Sequence, residues 1–305
     1  MFSIFANYST KKTLGIMKKY PIYSIQRFNC NDVNSDFYIN TFKNHLVDHS
    51  FVEEPHRHNS YVLVLFTNGS GTHDIDFDTF KIQPGSMFFM QPGQIHHWNL
   101  SDDIDGFVVF YSQEMYNLYF RQKTIETYPF YYALGNSPEM TFDAKESKAI
   151  EFYFQKMLEE YRGNKIMKQD KIINLLDSIH IEITRKYNEE YVLETHSYNS
   201  RIKDFDTLLE KYFWTEKAPS FYSSQLHITL KHLNRICNEI LKKTTTQVIT
   251  DRIILEAKRM LVFSNKNMGE IISDLGYADS TYFFRFFKKK TALTPTAFLK
   301  QFRRV

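Results

Sequence analysis

The chain has 305 residues, with 38 Lys and Arg against 35 Asp and Glu and only two cysteines. This length predicts two domains, because a single hydrophobic core rarely grows past about 250 residues. Two cysteines exclude a disulfide framework, and no apolar run approaches the roughly 18 residues of a membrane span, so we expect a cytoplasmic protein with no membrane partner.

Charge is distributed unevenly along the chain. Residues 1–200 carry 19 Lys and Arg against 25 Asp and Glu, a net charge of −6, whereas residues 227–305 carry 15 against 6, a net charge of +9. A compact basic segment predicts a partner with a phosphate backbone for that segment alone. For a charge run considered by itself, a solvated basic surface is the alternative.

Residues from about 21 to 112 have the pattern of short β-strands. The apolar run 61–66 has strand length, and residues 72–80 alternate between polar and apolar side chains. The pairs Pro84-Gly85 and Pro92-Gly93 bracket a further short run. Strands at a spacing of roughly ten residues predict a barrel or a double-sheet sandwich.

Three histidines form the main motif of this β region. His56 and His58 begin one predicted strand, and His96 follows Pro92-Gly93. The pattern resembles the metal-binding motif of cupins, which would place three imidazoles inside a small barrel. The sequence departs from that motif, because Val62 lies near the position of the cupin glutamate. We therefore predict an effector pocket with no metal and no cofactor, with metal binding and a purely structural role as alternatives.

Aromatic side chains of the same strands could complete such a pocket. The candidate effector-binding residues are His56, His58, Tyr61, His96 and Trp98. Strand alternation allows only some of the aromatic side chains in this region to point inward. A pocket of this composition would suit a sugar or an aromatic acid equally well.

Residues 145–190 change to the helical period. Ile150 and Phe154 belong to one apolar stripe, and Ile172 and Ile183 belong to a second. Such stripes usually pack on a domain core, but two long amphipathic helices could also pair with a second copy, so a homodimer is a second reading. Residues 191–200 lack helical patterning, and we predict that they form a linker.

The last third of the chain contains the same pattern twice. Residues 226–248 align with residues 276–298 without a gap, and each copy predicts a short helix, a turn and a second helix with an exposed arginine. Thr229 is the predicted N-cap of the first such helix, and Asp279 or Ser280 caps the other. Two helix-turn-helix units at fixed spacing predict a reader of double-stranded DNA.

The outward faces of these two helices carry the candidate DNA contacts. In the first unit Leu233 and Ile236 face the core, so Lys231, Asn234 and Arg235 project away from it. Arginine can bond guanine and asparagine can bond adenine through two hydrogen bonds each. By the same periodicity, the outward residues of the second unit are Thr281, Phe284, Arg285 and Lys288.

This region resembles the AraC/XylS family of transcription regulators. The residues that carry the resemblance are Gly276-Tyr277, Tyr282-Phe283, Arg285, Phe287-Lys288-Lys289 and Thr294-Pro295. It implies an all-α DNA-binding domain over residues 201–305, with its two recognition helices in successive major grooves. By position, the resemblance puts Lys231, Asn234 and Arg235 in one groove, and Ser280, Thr281, Phe284 and Arg285 in or beside the next, without assigning the bases that they contact. Ala292 replaces the glycine that is usual in the family, and we expect an adjusted turn there.

The resemblance also implies the organisation of the N-terminal half. Residues 1–190 would form an all-β, cupin-like barrel with flanking helices, which binds a small-molecule effector and dimerises through residues 145–190. We predict a sequence-specific transcription regulator that binds an operator and is not an enzyme. The alternatives are a cupin metalloenzyme fused to a DNA-targeting domain, and a DNA binder without ligand control.

Overall fold

The structure, a computed structural model, describes residues 21–28, 36–49, 55–120, 123–125, 128–131, 137–190 and 196–302. In these residues a β-rich N-terminal domain with flanking helices precedes an all-α C-terminal domain, which confirms the predicted fold class. Residues 1–20 of the predicted N-terminal domain and residues 191–195 of the predicted linker lie outside the described residues.

The described strands form two sheets of five strands each. They are β1 (Ile22–Tyr23), β2 (Phe37–Thr41), β3 (His56–His58), β4 (Tyr61–Asn68), β5 (Gly71–Ile75), β6 (Asp78–Ile82), β7 (Ser86–Met90), β8 (Ile95–Leu100), β9 (Asp105–Tyr111) and β10 (Glu139–Thr141). The first sheet has the order β1-β3-β8-β5-β6, and the second has the order β10-β7-β4-β9-β2. Neighbouring strands are antiparallel except for β1 and β3, which are parallel.

Helices flank the sheets and form the whole C-terminal domain. They are α1 (Phe42–Asp48), α2 (Gln113–Tyr119), α3 (Ala144–Arg162), α4 (Lys168–Glu190), α5 (His196–Tyr212), α6 (Pro219–Gln225), α7 (Leu230–Leu241), α8 (Thr245–Phe263), α9 (Met268–Asp274), α10 (Ser280–Thr291) and α11 (Pro295–Phe302). Residues 196–200, which we expected in the linker, belong to α5. Their sequence, His-Ser-Tyr-Asn-Ser, is polar and has no apolar stripe, so no helical period was visible there.

Alternation along the second sheet separates two hydrophobic cores. In β4, Val62 and Val64 pack in the core between the two sheets, whereas Tyr61 and Leu63 pack in the core beneath α3 and α4. Both faces of the strand are therefore buried. A strand that is covered on both faces has a continuous apolar sequence, which explains the run at residues 61–66.

The apolar stripes of α3 and α4 pack on the second sheet. Ile150 and Phe154 of α3 and Leu176 and Ile183 of α4 are at most 2% exposed and share one core with the β4 side chains. Burial of each such side chain contributes roughly 1.5–3 kcal/mol. The stripes therefore serve the core of this chain, while Phe152 on the other face of α3 is 57% exposed.

A buried hydrogen bond fixes α4 to the second sheet. The hydroxyl of Tyr111 donates to Nε2 of His180 at 2.8 Å, because Nδ1 of His180 is oriented to donate to the carbonyl of Leu176 at 2.7 Å. Burial lowers the pKa of His180 to about 3. The imidazole is thus neutral in the folded protein at any pH near neutrality.

The C-terminal domain is organised around α8. Ile249 and Ile253 in its first half pack in one core with α5, α6 and α7, and Ala257 and Leu261 in its second half pack in another core with α9, α10 and α11. A helix of 19 residues is roughly 28 Å long. This single helix therefore holds the two helix-turn-helix units at a fixed separation.

The two units follow the same backbone path, but their sequence alignment needs a gap of one residue. The leading helices α6 and α9 are each followed by a left-handed residue, His227 with φ 53° and Gly276 with φ 73°, which are 49 positions apart. The N-caps of the next helices, Thr229 and Asp279, are 50 positions apart. The predicted ungapped alignment is therefore wrong ahead of the N-caps, because the second turn contains one additional residue, Ala278.

The two units also end in the same way. Lys242 follows α7 with φ 53°, and Ala292 follows α10 with φ 62°, both in the left-handed region. The hydroxyls of Thr244 and Thr294 then cap α8 and α11. The turn adjustment that we expected at Ala292 is absent. Ala292 instead keeps the left-handed geometry, which costs about 1 kcal/mol for a residue with a Cβ.

Candidate DNA-binding surface and effector pocket

Helix α7 is the recognition helix of the first unit, and it exposes a basic face. The side chain of Thr229 accepts a hydrogen bond at 3.1 Å from the backbone N–H three residues later, as predicted. Leu233 and Ile236 are fully buried. Lys231 and Arg235 lie on the opposite side of the helix and are exposed, so both can reach a partner.

Asn234 lies beside Arg235 but is engaged within the protein. Its Oδ1 accepts a hydrogen bond from the backbone N–H of Thr245, the first residue of α8, at 2.9 Å. Adenine recognition through two hydrogen bonds needs both ends of the carboxamide. One lone pair of Oδ1 is therefore used within the protein, and a paired contact to adenine would need its second lone pair together with the amide NH2 group.

Helix α10 is the recognition helix of the second unit. Asp279 is its N-cap and accepts the backbone N–H groups of Thr281 and Tyr282 at 2.7 and 3.3 Å, which decides between the two predicted caps. Phe283 and Phe287 are buried beneath the helix. The exposed residues of this helix include Ser280, Thr281, Arg285 and Lys288.

Phe284 differs from its predicted neighbours on this face. It is half-buried and packs against the core of the second unit. Only part of the ring is therefore available for an apolar contact with a thymine methyl group.

The two arginines of α8 are engaged within the protein. Arg252 donates to both carboxylate oxygens of Glu210 at 2.6 and 2.9 Å, and its guanidinium lies 3.9 Å from the ring centroid of Phe213. Arg259 binds Asp76 of the N-terminal domain. Both guanidinium groups are therefore paired with carboxylates of the protein itself.

The turn between β5 and β6 docks on the C-terminal domain. Arg259 donates two hydrogen bonds to the carboxylate of Asp76 at 2.8 and 2.7 Å, and the two side chains are only 15% and 9% exposed. The ring of Phe77 packs beside the rings of Phe298 and Phe302, with centroid distances of 5.5 and 5.3 Å. The contact combines a buried ion pair with an aromatic cluster.

The same turn is bonded to strand β8. The backbone N–H of Asp76 donates to the carbonyl of Ile95 at 2.7 Å, and its carboxylate accepts from the N–H of Ile95 at 3.3 Å. The next residue along β8 is His96. Asp76 therefore joins the strand that carries a predicted pocket residue to Arg259 on the helix between the two helix-turn-helix units.

Four imidazoles meet in the core between the two sheets, and we call His56, His58, His73 and His96 the histidine cluster. His56 and His96 are paired across β3 and β8, with ring centroids 4.3 Å apart. Nε2 of His96 is 2.9 Å from Nε2 of His58, and Nδ1 of His96 is 3.1 Å from Nε2 of His73. All four residues are at most 3% exposed. The structure thus brings together the three predicted histidines.

His73 is the member that the sequence argument did not select. It lies on β5 opposite Trp98 of β8. The alternation that places His73 on the same face as buried Ile75 was a usable signal, but nothing in the sequence indicated that β5 pairs with β8. Trp98, which was predicted, lies beside the cluster with its ring centroid 4.6 Å from that of His96.

Tyr61 does not belong to this site. It faces the opposite side of the second sheet, where its ring stacks on Tyr111 at a centroid distance of 5.6 Å in the core beneath α3 and α4. The structure therefore does not bring Tyr61 together with the other predicted pocket residues. In a run in which every residue is apolar, the sequence does not reveal which alternate side chains face inward.

Burial determines the charge of the histidine cluster. Desolvation, reinforced by repulsion from the neighbouring imidazoles, holds the pKa values of His58, His73 and His96 well below the usual range. These rings are neutral at physiological pH. A neutral imidazole has one ring nitrogen with a lone pair, which can accept a hydrogen bond or bind a metal.

Two family models match the chain, one in each domain. Residues 37–175 match the model described as the AraC-like ligand binding domain, and residues 222–301 match the model described as a helix-turn-helix domain. The chain belongs to the AraC family of transcriptional regulators. It therefore combines a DNA-binding helix-turn-helix domain with a ligand-binding domain, as predicted.

Relatives with both halves of the chain are similar to it over most of their length. The arabinose operon regulatory protein of Salmonella typhimurium is 24% identical over 263 residues, covering 81% of this chain and 86% of that protein. The transcriptional activator RhaR of Mannheimia succiniciproducens is 18% identical over 251 residues, covering 81% and 87%. Among solved structures, ToxT of Vibrio cholerae is 11% identical, covers 87% of this chain and 98% of its own, and has a TM-score of 0.43.

The part of the chain that the structure describes contains no helix with both the length and the apolar character needed to cross a membrane.

Proposed function

We propose that this regulator contacts operator DNA through the exposed faces of α7 and α10, with Arg235 and Arg285 reading bases in successive major grooves. The observation that carries this proposal is the repeated unit itself, in which matching caps and left-handed turns present an exposed arginine at the same place in each copy. Arginine is the side chain that most often reads guanine in the major groove. Lys231 and Lys288 on the same faces are suited to phosphate contacts.

We further propose that a ligand in the core between the sheets controls this binding. The Asp76 turn supports this proposal because it connects the core between the sheets to the DNA-binding domain. It is bonded both to β8 beside His96 and to Arg259 on α8. A ligand that favours one position of β8 would also favour one position of this turn. It would then shift the population of arrangements of the DNA-binding domain through its differential affinity.

Selection of DNA from a random pool tests the first proposal. The full-length protein should enrich sites with two short conserved blocks about one helical turn apart, and its affinity should fall steeply between low and moderate salt because phosphate contacts release counterions. If no sequence were enriched, the result would favour the alternative of a DNA binder without sequence preference.

We also propose that the protein acts as a cytoplasmic homodimer without catalytic activity. The relatives named above are transcriptional regulators, which favours regulation over catalysis. Exposed Phe152 on the outer face of α3, with half-buried Tyr153 beside it at the edge of the core, is the candidate for the contact between copies. Analytical ultracentrifugation of the parent and of Phe152→Ser tests this, since the variant should dissociate more readily. A monomeric parent at micromolar concentration would contradict the dimer.

A further inference from the structure

Three members of the histidine cluster have the spacing of metal ligands. One nitrogen from each of His56, His58 and His96 can be chosen so that the three atoms lie within 4.8 Å of one another. Nitrogen ligands at about 2.0–2.1 Å from a tetrahedral ion lie roughly 3.3 Å apart. Small side-chain rotations therefore bring these three atoms to the required spacing.

We infer that His56, His58 and His96 bind a divalent transition-metal ion, for which Zn²⁺ is the first candidate. Imidazole nitrogen is a favoured ligand of zinc, copper, iron and nickel. Three histidines can hold zinc without a carboxylate and leave a fourth position open. The inference rests on the proposal that this core is the effector site, and it names the class of ligand. It departs from the metal-free pocket that Val62 in place of a glutamate had favoured.

His73 supports this assignment from behind the three ligands. Its Nε2 lies 3.1 Å from Nδ1 of His96. When Nδ1 of His96 carries the proton, it donates a hydrogen bond to Nε2 of His73. The lone pair on Nε2 of His96 is then directed towards His58. Histidine ligands generally have a partner of this kind, which fixes the ring orientation and the tautomer.

The surroundings of the cluster suit a small ion. The ring of Phe110 lies 4.7 Å from that of His58, the ring of Trp98 lies 4.6 Å from that of His96, and the ring of Tyr23 lies 5.1 Å from that of His56, all between centroids. Rings in contact at these distances can accommodate an ion between the imidazoles with little rearrangement. A sugar-sized molecule would have to displace several of them.

Metal binding by the full-length protein tests the inference. After removal of metals with a chelator, the protein is titrated with Co²⁺, a spectroscopic substitute for Zn²⁺, and a Zn²⁺-loaded sample is analysed for metal content after gel filtration. We expect about one ion per chain and the intense visible absorption bands of a four-coordinate cobalt site. A parent protein that retains no metal, or that has only the weak bands of hydrated cobalt, would overturn the inference.

Matched variants identify the ligands. His96→Gln should abolish the cobalt bands, and His73→Gln should weaken metal affinity by roughly 10–100-fold, the usual effect of losing such an outer partner. His97→Ala is the control, because His97 neighbours His96 on β8 but its side chain is 34% exposed and pairs with Asp74. If His97→Ala lost as much binding as His96→Gln, the ion would be bound at the surface and the inference would fail. The parent cobalt spectrum decides the question even if His96→Gln does not fold.

DNA binding with and without one equivalent of Zn²⁺ separates the inference from the proposed function. A change in operator affinity that disappears in the His96→Gln variant supports both. Stoichiometric metal binding with unchanged operator affinity would support the metal site and contradict effector control through the barrel.

Discussion

At the scale of single residues, Asn234 shows how a side chain of a type suited to base reading can also bond within the fold. Its Oδ1 is bonded to the backbone of Thr245, a contact between α7 and α8. The sequence periodicity correctly placed Asn234 away from the buried stripe, but a partner 11 residues away in the next helix depends on how the two helices pack. No local pattern contains that information.

Replacing Asn234 tests this assignment. Asn234→Ala should lower the free energy of unfolding by about 1–2 kcal/mol, because the backbone N–H of Thr245 loses its acceptor. Operator affinity should stay close to that of the parent where both proteins are folded. Asn238→Ala, an exposed residue on the same helix, serves as the control and should change stability by less than about 0.5 kcal/mol. A loss of operator affinity with unchanged stability would restore a base-reading role.

His180 makes the N-terminal domain sensitive to acid. Its folded-state pKa of about 3 lies below the ordinary value of 6.5, so between these values the unfolded chain binds a proton that the folded protein excludes. The stabilisation is complete above pH 6.5 and is lost as the pH falls, by about 1.4 kcal/mol per pH unit. Urea denaturation at pH 7 and pH 5.5 should therefore reveal a smaller loss in His180→Gln than in the parent. Equal losses would contradict this account of His180.

At the scale of secondary-structure elements, the helices of the C-terminal domain were predictable because their signals are local. The apolar spacing, the threonine and aspartate caps and the turn residues all lie within a few positions of the element they define. The one-residue gap between the repeats was missed for a physical reason. A turn can absorb an additional residue such as Ala278 without moving the helices, so an alignment based on the second helices remains good.

Ala292 offers a test of strain at the end of α10. Its φ of 62° is readily adopted by glycine but unfavourable for alanine. Ala292→Gly should therefore raise the free energy of unfolding by about 1 kcal/mol. Ala297→Gly inside α11 is the matched control and should lower it by roughly 0.5–1 kcal/mol, because glycine is a poor helix former. If both variants were destabilised alike in thermal unfolding, the turn at Ala292 would not be strained.

The strands of the N-terminal domain were predictable as a class, but less so in their ends and facing. The alternation over residues 72–80 belongs to two strands, β5 and β6, with a turn at Asp76 and Phe77 between them. The facing of a strand is visible where polar and apolar residues alternate, as in β5. This signal is absent in β4, where all positions from Tyr61 to Phe66 are buried. For this reason the sequence grouped Tyr61 with the histidines, although its side chain lies on the other face of β4. Likewise, the pairing of β3 and β5 with β8 is long-range, so the sequence could group His56, His58 and His96 only by resemblance and could not add His73.

At the scale of the whole molecule, the contact between Asp76 and Arg259 joins the two domains. Asp76→Asn keeps the shape of the side chain but removes the charge that faces a guanidinium only 15% exposed. Breaking such a pair leaves a buried charge poorly compensated. In differential scanning calorimetry, the two domains of the parent should unfold in closely coupled transitions. In Asp76→Asn the two unfolding transitions should separate. Asp78→Asn, an exposed neighbour on β6, should behave like the parent. Unchanged coupling in Asp76→Asn would rule out this contact as the link.

The central claim is that Arg235 and Arg285, carried by two copies of one helical unit, read neighbouring major grooves of the same DNA. Hydroxyl-radical footprinting on a selected site tests it most directly. The parent should protect two patches about ten base pairs apart on one face of the duplex. Arg235→Ala should weaken one patch and Arg285→Ala the other, each at a cost of about 1–3 kcal/mol in affinity, while exposed Arg185→Ala on α4 should match the parent. A single patch, or arginine variants with the parental footprint and affinity, would contradict the claim.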